Sequence, residues 1–185
     1  MKGIIFNLLE EVVVAQHGDA AWDALLDTAD LPGDYTSLGS YDDEEIVKLV
    51  AAGAGALKMS PQEVLRWFGR EAMPLLAQRY PAFFVEHRTT LPFVLSVNSI
   101  IHPEVRKLYA GAHCPYFRFQ QMPDGALQMT YDSPRKLCAL AEGFIEGAAG
   151  QFGETANVEH LHCMHRGDDK CVLSIRATAA AADAA

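Results

Sequence analysis

The spacing of apolar residues changes along this chain, and that change limits the folds open to it. Residues 3–16 place Ile4, Ile5, Leu8, Leu9, Val12 and Val13 at helical spacing, with Glu10 and Glu11 on the other side. Gly18 supplies a stop, and Asp19 a cap for a second helix over AAWDALLDTA. The Pro, Gly and Ser content of DLPGDYTSLGSYDD marks a loop. Asp42 or Asp43 then opens a third helix, whose end is blurred by Gly53 and Gly55. SPQE at 60–63 is a strong start signal, with Ser60 as cap, Pro61 in the first turn and Glu63 closing a capping box. That helix should run towards Tyr80 and meet Pro81, with a bend at Pro74. Residues 91–109 remain apolar and helix-like but are broken at His102-Pro103. Beyond them the period shortens to two. PYFRFQQM and ALQMTY, joined by PDG, predict one hairpin; NVEHLHCMH and KCVLSIR, flanking RGDD, predict a second. Between the hairpins a helix near 135–151 carries Leu137, Leu140, Ala141, Phe144 and Ile145 on its apolar side. The expected fold is α+β, a helical N-terminal part packed on a C-terminal part with a four-stranded antiparallel sheet. The low-complexity tail ATAAAADAA is expected to fray.

A chain of 185 residues, half of them hydrophobic, suits one domain with a sizeable core. Its net charge of −9 excludes free nucleic acid as a partner, because phosphate binding needs a clustered basic face. HPEVRK and SPRK are too short to supply one. Asn7, Glu10 and Glu11 interrupt the first apolar run, which is neither a secretory signal nor a membrane span. A cytoplasmic location is therefore expected, and there four cysteines read as free thiols or metal ligands rather than two disulfides.

Three groups of residues carry chemistry. His102 sits in an apolar helical stretch ahead of Pro103, which withholds a backbone N–H and disfavours helical backbone at His102. A displaced backbone there could present the imidazole to a metal or haem iron; the alternative is an ordinary core or surface histidine. Tyr131, Ser133 and Arg135 stand at every second position, so in extended chain two hydroxyls and a guanidinium converge as an anion clamp. The competing reading makes Ser133 a helix cap with Pro134 at the first helical position. Cys138, His160, Cys163 and Cys171 offer three thiolates and an imidazole, a closed tetrahedral set for structural zinc, or else unrelated thiols beside a histidine-rich strand. His162 and His165 compete for the nitrogen position. In a regular strand His160 and Cys163 would face opposite sides, so the zinc reading requires a bulge or turn. Cys114 has no obvious partner.

Taken together with the opening MKGIIFNLLEEVV, these groups resemble the haem nitric oxide/oxygen binding (H-NOX) family, to about residue 176. The most specific element is Tyr-x-Ser-x-Arg, here YDSPR, with a histidine upstream. The resemblance implies a single domain over 1–176. Its helical part covers about 1–60 and its haem-cradling α+β part about 61–176, with haem b (iron protoporphyrin IX) buried between them; 177–185 is expected to be a disordered tail. It implies His102 as proximal ligand of the iron and Tyr131, Ser133 and Arg135 as holders of the propionates. Pro115 and Ile5 would press on the porphyrin, and a zinc quartet of Cys138, His160, Cys163 and Cys171 would follow a subset of the family, where His-x-x-Cys favours His160.

Oxygen-binding members carry a distal tyrosine on the helix after the clamp, and the matching residue here is Leu140. Ile5, Leu9, Ala72, Leu76 and Phe144, also implied for the distal side, are apolar. A five-coordinate ferrous haem that takes NO and CO but O2 poorly is expected, since bound O2 is helped by a distal hydrogen-bond donor. Binding of NO would release His102 and signal to a partner, in this family a histidine kinase or a diguanylate cyclase/phosphodiesterase. An oxygen-binding sensor or carrier is the alternative within the family. A haem enzyme such as an NO dioxygenase or peroxidase would need polar distal acid–base groups. A zinc hydrolase would need an open coordination position, which the quartet does not leave.

Overall fold

Four helices open the computed structural model, which describes residues 1–180: α1 (Gly3–His17), α2 (Asp19–Ala29), α3 (Asp43–Leu57) and α4 (Pro61–Arg79). α1 buries Ile4, Leu8, Leu9, Val12 and Val13 of the stripe its spacing predicts, leaves Ile5 half-buried, and buries Phe6 as well. Gly18, not Asp19, occupies the cap position of α2; Asp19 is in its first turn, where a carboxylate faces the positive end of the helix dipole. At α4 the capping box is complete. The Glu63 N–H donates to Ser60 Oγ at 3.2 Å, and the Ser60 N–H donates to Glu63 Oε2 at 2.7 Å. Pro74 lies inside α4 without ending it.

After a 3₁₀ turn (Pro81–Phe83), α5 (Thr90–Ser96) runs into a π-helical segment (Val97–Ile101) and then α6 (His102–Leu108). The break expected at His102-Pro103 is thus displaced upstream. His102 itself is helical, with φ −63° and ψ −38°, and its N–H bonds the Val97 carbonyl. Pro103 cannot donate to Ser99, and the wider turn over 97–101 accommodates the missing bond.

Strands β1 (Tyr116–Gln121), β2 (Leu127–Asp132), β3 (Glu154–His162) and β4 (Cys171–Ala179) form one antiparallel sheet in the order β1-β2-β4-β3, with α7 (Cys138–Gln151) between β2 and β3 in the chain. The fold class is the α+β arrangement expected. α7 starts at Cys138, so Ser133 caps no helix; it closes a turn in which the Lys136 N–H bonds the Ser133 carbonyl at 3.1 Å. β4 continues past residue 176 to Ala179, and the Ala180 N–H bonds the Gly153 carbonyl, so this part of the expected tail is ordered. The rest of the tail, 181–185, lies outside the described residues. No helix among the described residues is long and apolar enough to cross a membrane.

α4 and α7 pack so closely that glycine is required between them. A Cβ added at Gly143 would stand 2.0 Å from the Arg66 carbonyl oxygen, and one at Gly147 would stand 2.6 Å from that of Arg70, the carbonyl whose helical donor Pro74 removes. Both obstacles are backbone, which cannot rotate away. Gly143→Ala should therefore destabilise the protein by about 3 kcal/mol or more, at the upper end of overpacking effects, read as a fall in the thermal unfolding midpoint. An unchanged midpoint would show that the two helices can separate freely.

Candidate cofactor and metal sites

A cavity of about 580 Å³ lies where the helical part meets the sheet. Its lining draws on both hydrophobic cores, with Ile5 and Leu8 from α1, Met73 and Leu76 from α4, and Leu140 and Phe144 from α7. Its size is that of a small-molecule or cofactor site. Ile5, Leu76, Leu140, Phe144 and Pro115 line it. Leu9 and Ala72 do not: they are buried in the core of the helical part. Along a helix one position turns a side chain by about 100°, so Leu8 and Met73 face the cavity in their place.

His102 lines the same cavity. Its Nδ1 is buried without a hydrogen-bond partner. Burial, and next the nearby Arg106 charge, push the imidazole pKa down from 6.5 to about 4 against a hydrogen bond at the Pro115 carbonyl. The ring is therefore neutral at neutral pH, the form that ligates a metal.

The clamp residues gather at one edge of the cavity. Tyr131 and Ser133 are buried, and both line it with Arg135. Burial raises the Tyr131 pKa, and its hydroxyl accepts from the Leu137 N–H at 3.0 Å. Arg135 donates from Nε to Asp43 Oδ2 at 2.6 Å and from Nη1 to the His113 carbonyl at 2.6 Å. Asp43 also accepts from the Met1 ammonium at 2.7 Å. Burial works against the Asp43 charge, but the bonds from Met1 and Arg135 outweigh it and hold the carboxyl below its usual range. Asp43 escaped the sequence reading because its partner lies 92 positions away.

Behind α7 the Sγ atoms of Cys138, Cys163 and Cys171 lie within 4.8 Å of one another. Cys138 and Cys163 are 3.8 Å apart, Cys163 and Cys171 4.0 Å. The bulge that the metal reading required is present: the β3–β4 register shifts between His160 and His162. No ring nitrogen of His160 belongs to that 4.8 Å group; its Nε2 meets Glu142 Oε2 at 2.9 Å. His162 is 62% exposed and faces Asp168, and His165 bonds the Lys136 carbonyl. Burial raises the Cys138 and Cys171 thiols. Burial also opposes ionisation of Cys163, but hydrogen bonds at His165 and His160 hold that thiol below its ordinary value. Cys114, half-buried, lines the large cavity instead of this cluster.

Comparison with known proteins agrees with this geometry. The family model described as Haem-NO-binding matches residues 2–160. The chain is similar to an H-NOX protein from S. oneidensis solved in the Fe(II)NO ligation state, with 38% identity, a TM-score of 0.89, and coverage of 96% of this chain and 99% of that one. The Shewanella oneidensis H-NOX domain in the Fe(II)CO state gives 37% identity, a TM-score of 0.86, and coverage of 96% and 99%. An unliganded Fe(II) H-NOX protein from K. algicida shares the fold, at 23% identity, a TM-score of 0.84 and coverage of 98% and 99%. A comparison with curated proteins returned no match. An apolar cavity with the neutral His102 imidazole and a guanidinium–hydroxyl edge fits a metalloporphyrin bearing two carboxylates, and with the family match over most of its length the chain belongs to the haem-NO-binding (H-NOX) family of haem-binding gas-sensor domains, which are not enzymes.

Proposed function

We propose that this domain senses nitric oxide at ferrous haem b and reports it by release of His102. The observation that carries the reading is the apolar character of Ile5, Leu76, Leu140 and Phe144 in the cavity: none of these side chains carries a donor that would favour O2. Haem, when bound, supplies the iron position at which a diatomic gas coordinates. His102 would hold the iron, a role supported by its neutral ring in the cavity. Tyr131, Ser133 and Arg135 hold the two propionates, while Pro115 and Ile5 bear on the macrocycle. Binding of NO at the haem would free His102 and let α6 shift, and a partner would read the altered surface. The size of that response is bounded by the difference in NO affinity between the two states.

Visible spectra of the ferrous protein test the reading. Detachment of His102 under NO is expected, together with a CO complex and no lasting oxygen complex in air. An oxygen complex stable in air, or His102 attached throughout under NO, would refute it. The partner follows from the resemblance: a histidine kinase or a diguanylate cyclase/phosphodiesterase. Capture of either should differ between NO-loaded and unliganded protein.

Cys138, Cys163 and Cys171, with His160, are read as a structural zinc site. Tetrahedral Zn–S bonds of about 2.3 Å put sulfurs roughly 3.8 Å apart, and the Cys138–Cys163 and Cys163–Cys171 separations, 3.8 and 4.0 Å, suit that geometry. Because Glu142 engages His160 Nε2, Nδ1 would be the ligand atom, with the carboxylate orienting the ring. Cys163→Ala should lower zinc from about one per chain to near zero by metal analysis, since closed structural sites use all four ligands. Full retention of zinc by the variant would remove Cys163 from the ligand set.

A further inference from the structure

His102 rides on a weakly seated helix. No residue of the π-helical segment or of α6 is fully buried. Val97, Ile101 and Val105 pack half-buried against the two cores, and the side-chain hydrogen bonds that tie the span to the body lie at its two ends. At the first, Asn98 makes a paired contact with the Phe117 backbone, donating to its carbonyl at 2.5 Å and accepting from its N–H at 3.1 Å. At the second, Tyr109 is only 8% exposed, and its hydroxyl is hydrogen-bonded to that of Tyr80, the residue capping α4. An exposed bond from Lys2 to the Ala110 carbonyl lies just beyond. Tyr109 is seven positions, two helical turns, from His102, and both line the cavity. Tyr80 stands one turn beyond Leu76 and also lines it.

We propose that the Tyr80–Tyr109 hydroxyl pair is a latch holding the His102 helix to α4, and that its opening sets how readily His102 leaves the iron. Tyr80 and Tyr109 are positioning residues, and the second half of the proposal rests on the His102-release reading above. Both tyrosines also face a second, polar cleft of about 500 Å³, lined by Glu10, Glu11 and Arg79. Parted hydroxyls would be solvated from that side. Opening therefore loses only the net value of one hydrogen bond and leaves no dry unsatisfied group, which makes the latch reversible.

The test uses the full haem-loaded ferrous chain and the variants Tyr80→Phe, Tyr109→Phe and the double substitution, each of which keeps the ring and removes the hydroxyl. Amide hydrogen exchange over α6 in unliganded protein should quicken about fivefold in either single variant, the loss expected for one hydrogen bond. The double variant should be no faster than the singles, because one bond is lost in all three. Under NO, the fraction with His102 detached should rise in parallel. Unchanged α6 exchange, or single effects that add in the double variant, overturns the latch. So does a lower unfolding midpoint with both α6 exchange and the coordination spectrum unmoved, which is the signature of a purely structural pair. Faster exchange with His102 attached under NO in every protein, wild type included, supports the latch and overturns the release reading instead.

Discussion

His102→Gly is expected to reduce haem retention at least about tenfold, because even groups that merely support a metal ligand are each worth roughly 10–100-fold in metal affinity. His102 is the imidazole in the cavity whose Nδ1 is buried without a partner, and its pKa near 4 keeps it ready to coordinate at neutral pH. Free imidazole should restore the Soret band in the variant by occupying the vacated volume. The restored protein would have its iron coordinated but untethered, so α6 should exchange amide protons as fast as in the NO-loaded wild type. Equal haem retention by the variant without imidazole would show that another residue holds the iron. Restored haem with α6 still protected would show that the helix is held by contacts other than the iron bond, among them Tyr109.

The readings that held rest on local physics. The Ser60–Glu63 capping box spans one turn and is complete in the fold. Tyr131, Ser133 and Arg135 all line the cavity, though β2 ends at Asp132 and it is the turn at Ser133–Lys136, not continued alternation, that carries Arg135 there. Errors arose where one position or a distant partner decides the outcome. Leu9 and Ala72 are neighbours of the lining residues Leu8 and Met73, and apolar character alone does not separate core from cavity on a helix buried on more than one side. The competing reading of Ser133 as a helix cap followed from Ser-Pro, a sound local signal, but the Tyr131 hydroxyl takes up the Leu137 N–H and the helix starts only at Cys138. The π-helical turn before His102 is a consequence of Pro103, yet sequence signals mark only that a break occurs and not where the strain is taken up. Asp43 on Arg135 spans 92 positions, and Glu142 on His160 joins a helix to the strand after it; neither contact has a periodicity to reveal it.

Leu140→Tyr should convert gas preference with little change in fold. Leu140 stands in the first turn of α7, is 6% exposed and lines the cavity beside Phe144. A tyrosine there would extend its ring into the cavity rather than into packed core, and its hydroxyl would supply the donor that Ile5, Leu76 and Phe144 lack. Bound O2 carries partial negative charge, so the new hydrogen bond is of the charge-assisted kind, worth about 1.5–3 kcal/mol, or roughly 10–100-fold in O2 affinity. NO binds ferrous haem strongly without such a bond, so its affinity should change far less. Leu140→Phe separates the hydroxyl from the added bulk. It should reproduce any steric loss and none of the oxygen gain. Oxygen titration of the ferrous proteins, read by the visible spectrum, decides the matter. If Tyr and Phe at this position bind O2 equally weakly, Leu140 does not face the bound gas, and the absence of a donor there is not what selects NO.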